Sequence, residues 1–253
     1  MNRSEILTNS IVMKYKILSL TLFWLILGHT SHAQFNLGKL LGKGSGKSGG
    51  LSENEIVLGL KEALNVGISN GSESASKVDG FFKNELIKIA VPPEAQKVAD
   101  ALRKMGLGAE VDKFTLSLNR AAEDAAKKSK PIFVKAITSM TVPDALSILK
   151  GQDDAATQYL KKSTNDELFK TFFPVVDSTL NLNKATEYYA DIVKTYNQLP
   201  LVKKVNPDLK QYATQKTIDG LYVLIAQEEK KIRENPGARV TDLLKKVFKQ
   251  AGK

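Results

Sequence analysis

Three polar side chains on a predicted alanine-rich helix are the first candidates for binding chemistry. Asn119 and Glu123 are four residues apart and share one helix face, and Arg120 lies one step round from Asn119. Such a cluster could bind the carboxylate or phosphate of a ligand, or it could be a polar network that fixes helix register. We name Asn119, Arg120 and Glu123 as candidate ligand-binding residues and favour the structural interpretation.

Two further polar groups have an ordinary structural explanation. Asp153 and Asp154 precede a predicted helix and could bind calcium, but the alternating oxygen ligands of an EF-hand loop are absent, which favours helix capping. Glu229 and Arg233 are an i, i+4 pair, which predicts an exposed salt bridge. A carboxylate-based hydrolase would need two acidic side chains facing each other across a cleft. The candidates for such a pair are Glu123, Asp144, Asp153 and Glu228.

The N-terminal segment has the three parts of a secretory signal peptide. Two lysines at positions 14 and 16 precede an apolar run at residues 17–27, and small residues at positions 31 and 33 follow it. The run is too short for a transmembrane helix, which needs about 20 residues. We predict a signal peptide over residues 1–33, cleaved between Ala33 and Gln34, and export to the periplasm or beyond. Met13 is an alternative start.

Cleavage there would remove most of the reactive side chains. The chain has no cysteine, and its two histidines and single tryptophan all lie before residue 34. A mature chain without histidine or cysteine excludes Ser-His-Asp and Cys-His catalysis, histidine-based metal sites and disulfide bonds. We therefore expect no cofactor, no metal and, on balance, no enzymatic activity.

Residues 34–50 are rich in glycine, lysine and serine, which is typical of a flexible linker. Gly46, Lys47 and Ser48 imitate the end of a phosphate-binding loop. The required earlier glycine is replaced by Leu41, and no strand precedes the segment, so the linker interpretation is favoured.

The chain is basic, with a net charge of +10 from 37 Lys+Arg and 27 Asp+Glu, and only five of the cations are arginine. A lysine-rich surface is mainly a solvated surface. The expected partners are an envelope protein, an anionic surface polymer or a lipid, and we expect no nucleic acid.

Apolar residues recur at helical spacing through most of residues 51–253, and no strand pair is evident. We predict one all-α domain of eight to eleven helices with short loops. Capping boxes are predicted at Ser52 and Thr164, and Thr141 resembles a helix start. The first helix either fades near residues 67–72 or continues towards Val78, and Pro174 is predicted to restart a helix.

Several strings resemble an uncharacterised family of exported helical proteins from Gram-negative bacteria, classed only as a domain of unknown function. They are DGFF at 79–82, LNRAAE at 118–123, DALSILKG at 144–151, DDAATQYL at 153–160, DGLY at 219–222 and EEKKIRENP at 228–236. The resemblance covers nearly all of residues 51–249. It implies an exported helical domain and brings no known activity, ligand or catalytic residue.

Three functions remain open from sequence alone. The first is a non-enzymatic envelope protein that binds a partner through a helical face. The second is a carrier that holds a lipid or other amphiphile between helices, in an apolar pocket bordered by the segment from Asn119 to Glu123. The third is the carboxylate-based hydrolase.

Overall fold

A computed structural model describes residues 51–182, 184–198, 204 and 208–250, so the predicted signal peptide, its cleavage site and the linker lie outside it. Nine α-helices and no strands occur within these residues, which confirms the all-α class. The helices are α1 (Glu53–Ser76), α2 (Gln96–Lys104), α3 (Gly108–Ala126), α4 (Ser129–Thr138), α5 (Val142–Lys150), α6 (Ala155–Leu182), α7 (Ala185–Asn197), α8 (Leu209–Glu234) and α9 (Asp242–Gln250).

Four long helices, α1, α3, α6 and α8, form the core, and the shorter helices pack around them. The most extensive contacts join α6 to α8, α1 to α8, and α3 to α6. Helix α8 is therefore central, and it buries both apolar and polar side chains along its length. A second, smaller apolar cluster joins α9 to α1 and the end of α8.

The glycine-containing part of α1 is helical because it packs closely on α8. A Cβ added at Gly71 would lie 3.4 Å from Cγ1 of Ile225, and one at Gly67 would lie 3.5 Å from Cβ of Glu228. Small residues at these positions bring the two helices together, so packing outweighs their low helix propensity. Of the two predicted ends for the first helix, the later one is correct, at Ser76.

Helix α6 runs without a break through two predicted boundaries. The predicted capping box at Thr164 is wrong, because this hydroxyl donates to the carbonyl of Leu160 inside the helix, at 2.7 Å. The predicted restart at Pro174 is also wrong, since this proline lies within the helix. Leu168, Phe172 and Val176 are fully buried at four-residue spacing, so core packing holds the helix together despite the missing proline N–H.

The helix starts predicted at Ser52 and Thr141 are confirmed. Ser52 and Glu55 form a reciprocal capping box at the start of α1, and Thr141 and Asp144 form one at the start of α5. In the described part of the chain, no single helix is long and apolar enough to cross a membrane. Helices α4 and α5 reach that length and composition only as a pair, and the chain bends by 106° between them.

Candidate functional site

The segment between α1 and α2 is a series of turns that lies against α3. Residues 77–92 are turns, bends and irregular backbone, with neither helix nor strand. Asp79 has a positive φ of 67°. At Gly80, an added Cβ would lie 2.8 Å from the carbonyl oxygen of Ala75 and closer still to that of Ser74, so only glycine fits here.

Asn119 holds one end of this segment through its amide. Its Oδ1 accepts from the backbone N–H of Ile89 at 2.8 Å, and its Nδ2 donates to the carbonyls of Ile89, at 2.8 Å, and Thr115, at 2.7 Å. The side chain is fully buried. The amide is thus occupied by backbone groups in the manner of a neighbouring strand, and it faces the segment.

Glu123 holds the other end. Its Oε1 accepts from the backbone N–H groups of Phe81, at 3.1 Å, and Phe82, at 3.3 Å, and its Oε2 accepts from Nη1 of Arg120 at 2.5 Å. The carboxylate is 3% exposed, so three charge-assisted hydrogen bonds offset its desolvation.

Arg120 links this carboxylate to Asp79. Its Nη2 donates to the Asp79 carboxylate at 2.6 Å, and Lys83 pairs with the Asp79 carboxylate at 2.7 Å. Lys83 and Arg120 hold the pKa of Asp79 below its ordinary value, and Asp79 raises the pKa of the guanidinium. Unlike Asn119, Arg120 keeps part of its side chain in contact with solvent.

Phe81 also packs the segment against α8. It is fully buried, and a Cβ added at Gly220 would lie 2.7 Å from its Cε1. Three of the strings noted in the sequence, at residues 79–82, 118–123 and 219–222, therefore meet at one place. The sequence showed each string separately, but only the fold shows that they contact one another.

An apolar groove lies on the other side of Arg120, between α2, α3 and α7. Its volume is about 640 Å³. Helix α2 forms one wall and makes extensive contact only with α3 and the preceding short turn, among the helices that the structure describes. The apolar lining residues are Val91, Ala95, Val98, Ala99, Leu102, Val111, Phe114, Leu116, Ala185 and Tyr189.

The polar side chains of the groove are concentrated on α3. Arg120 is the last α3 residue that lines it, and Glu110 and Lys113, which pair at 2.9 Å, lie at the other end. Ten residues of helix separate Glu110 from Arg120, which is about 15 Å. Between them, Ser117 is the polar lining residue, and the ring of Phe114 stacks on Tyr189 with centroids 6.0 Å apart.

Burial raises the pKa of Tyr189 to about 12, so its hydroxyl is neutral at all ordinary pH values. The middle of the groove, lined by Phe114, Ser117 and Tyr189, is therefore uncharged. Of the three candidate ligand-binding residues, Arg120 lines the groove, whereas Asn119 and Glu123 bond to the segment at residues 79–91.

The carboxylates considered for hydrolysis have separate partners. Glu123 accepts from the backbone of Phe81 and Phe82, and Glu228 accepts from Asn70 at 2.8 Å. The Asp144 carboxylate accepts from the backbone N–H of Thr141 at 3.0 Å and from its hydroxyl at 2.6 Å. No group of three or more acidic or histidine side chains suited to a metal ion occurs among the residues that the structure describes.

The predicted exposed salt bridge between Glu229 and Arg233 is wrong, because the pair is buried. The two side chains are 5% and 3% exposed and meet at 2.7 Å. Glu229 also accepts from the backbone N–H groups of Ala156, at 2.9 Å, and Thr157, at 2.8 Å. It thereby caps the N-terminus of α6 from a different helix. Because α8 is central, other helices enclose this pair.

In the part of the chain that the structure describes, fold and site define an all-helical domain with an apolar groove that ends at a partly exposed arginine. Residues 50–249 match the family described as a protein of unknown function, DUF4197, and the chain belongs to that family. No curated protein matches the chain. No solved structure matches it either.

Proposed function

We propose that this protein is an exported, non-enzymatic binding protein that holds an amphiphile in the groove between α2, α3 and α7. The groove itself is the observation that carries the proposal. Its volume of about 640 Å³ falls within the range of ligand sites in proteins, roughly 300–1,000 Å³. An apolar lining with polar groups towards the ends suits a ligand with an apolar chain and a polar head.

The charges near Arg120 favour an anionic head. Lys88 lies 4.8 Å and the Arg120 guanidinium 5.9 Å from the ring centroid of Phe82, and Lys83 is bound to Asp79. Arg120, which lines the groove, and the neighbouring Lys83, Lys88, Asp79 and Glu123 together carry a formal charge of +1. An arginine has five N–H donors, of which protein acceptors in the described residues take two, so donors remain for a ligand.

The groove favours the carrier over the two other functions considered. The separate partners of Glu123, Asp144 and Glu228 give a hydrolase no pair of facing carboxylates among these three. Binding of a partner protein or surface polymer through an outer face stays an alternative, and the experiment below separates it from the carrier function.

The test is native mass spectrometry of the protein purified gently from the envelope of its own host, compared with its denatured mass. We expect an additional mass that denaturation removes. Ala99→Trp should abolish it, because Ala99 lines the groove and is 5% exposed. Ala101→Trp is the matched control, since Ala101 lies on the exposed face of the same helix.

Each result has a defined meaning. A bound mass that persists in Ala99→Trp would place the ligand outside the groove and refute the proposal. A protein that carries no additional mass would also refute it, and crosslinking in the intact envelope would then identify a partner. The denatured mass tests export separately, because cleavage as predicted gives a chain that begins at Gln34.

A further inference from the structure

Two aliphatic side chains project into solvent from the segment between α1 and α2. Val78 is 78% exposed and Leu86 is 66% exposed. Both line the same shallow depression, together with Lys77 and Lys83. Two large aliphatic residues in one exposed depression form an apolar patch, and such patches on a protein surface commonly mark interaction sites.

The segment that carries them is firmly anchored. Glu123 binds the backbone N–H groups of Phe81 and Phe82, and Asn119 binds both backbone groups of Ile89. The side chain of Phe81 is fully buried as well, which adds to the first of these anchors. Val78 and Leu86 are therefore exposed by a rigid turn framework, not by fraying of a helix end.

Lysines surround the aliphatic pair. Lys77, Lys83 and Lys88 are all exposed, and the two acidic residues in the same stretch are Asp79 and Glu85. Of these acids, Asp79 is already bound by Lys83 and Arg120. Three lysines against two acids leave residues 77–88 with a formal charge of +1, in a chain with a net charge of +10, beside the exposed aliphatic groups.

We propose that residues 77–88 form a docking surface for a lipid bilayer that carries anionic headgroups. Val78 and Leu86 enter the headgroup region, and the lysines bind the anionic lipids around them. Apolar insertion and attraction to anionic headgroups are the two contributions that hold peripheral proteins on membranes. This docking requires only the exposed side chains, so it stands whether or not the groove is occupied.

The docking surface lies beside the groove, which gives membrane docking a function. Asp79 belongs to the docking surface and bonds directly to Arg120, which lines the groove. A bilayer bound to residues 77–88 would therefore lie beside the Arg120 end of the groove. An amphiphile could pass between membrane and groove at that end without its apolar chain crossing bulk water.

The test is sedimentation of the purified protein with vesicles of phosphatidylcholine alone and of phosphatidylcholine mixed with phosphatidylglycerol. We expect binding to the mixed vesicles, and at least about a tenfold weaker partition for Val78→Ser/Leu86→Ser. Lys77→Gln should weaken binding about fivefold on mixed vesicles and leave binding to phosphatidylcholine unchanged.

Val240→Ser is the matched control. Val240 is 64% exposed and precedes α9, which contacts α1 at Gly59. Gly59 lies about 25 Å along α1 from Ser76, so the control removes an exposed valine from the other end of the domain. It should bind mixed vesicles as the unmodified protein does. Unfolding midpoints should be unchanged in all variants, since each substituted side chain is exposed.

Three results would overturn the proposal. They are absence of vesicle binding by the unmodified protein, equal binding by Val78→Ser/Leu86→Ser, and an equal loss in Val240→Ser. A photo-crosslinker at position 86 adds a check in the intact envelope. Capture of lipid there supports docking, and capture of a protein alone would make this surface a protein contact. None of these results depends on the bound mass that tests the groove.

Discussion

Replacing Glu229 by alanine tests whether the buried pair on α8 stabilises the fold. The substitution removes the partner of Arg233 and the acceptor for the N–H groups of Ala156 and Thr157. Removing one partner of a buried ion pair leaves an uncompensated charge, which typically costs about 3–5 kcal/mol. For a domain of this size, that loss corresponds to roughly 6–20 °C in the unfolding midpoint.

The matched control lies on the same helix at the same spacing. Lys230 and Glu234 are also an i, i+4 pair, but they are 3.8 Å apart, with side chains 62% and 58% exposed. Glu234→Ala should cost less than about 1 kcal/mol, as exposed pairs do. Urea unfolding followed by far-ultraviolet circular dichroism measures both free energies of unfolding.

A double variant separates the charge from the cap. Glu229→Leu/Arg233→Leu removes both charges, so it should recover most of the loss, and the missing helix cap should leave about 1 kcal/mol unrecovered. If Glu229→Ala lowers the free energy of unfolding no more than Glu234→Ala does, burial does not increase the contribution of this pair to stability, and the reasoning is refuted.

Two further predictions concern the other buried polar groups. Asn119→Ala should lower the free energy of unfolding by roughly 2–4 kcal/mol, because it leaves both backbone groups of Ile89 buried without a partner. Asn181→Ala, at an exposed asparagine, should change it by less than about 0.5 kcal/mol, and equal effects in urea unfolding would contradict the anchoring role. Burial raises the pKa of Tyr189 from 10.0 to about 12, so between these values the folded protein keeps a proton that the unfolded chain releases, and stability falls as pH rises. Tyr189→Phe should make this fall less steep in unfolding measured across the same pH range, and an unchanged slope would exclude the contribution.

The sequence predicted the two helix starts that depend only on hydrogen bonds within the first helical turn. The capping boxes at Ser52 and Thr141 are both present, because each needs only residues within one turn. The same signal failed at Thr164, where the buried residues of α6 keep the helix continuous. A capping-box sequence therefore predicts a helix start only where core packing does not make the helix continue through it.

The polar cluster was predicted as a set of residues but not by its partners. Asn119 and Glu123 bind backbone groups 30 and 42 residues earlier in the chain. No spacing rule links such distant positions. The strings at 79–82, 118–123 and 219–222 were noted only as carriers of a family resemblance, which does not show that they meet in the fold.

The groove could not be derived from spacing alone. The sequence placed an apolar pocket beside the segment from Asn119 to Glu123, and the groove does end at Arg120. Its walls, however, come from α2 and α7, whose packing angles depend on side-chain volumes across the whole interface. Burial of Glu229 and Arg233 was missed for the same reason, since the sequence does not show which helix is surrounded by others.

The contacts of α1 and α6 with the last third of the chain determine when the domain can fold during synthesis. Helix α1 packs on α8 and α9, and the first turn of α6 is capped by Glu229, more than 70 residues later. A chain that has emerged only as far as α7 lacks the central helix against which the others close. Contacts of such long sequence separation slow folding. The core therefore cannot close until Leu209–Glu234 has been made, so a chain shortened before this helix should not form the stable domain.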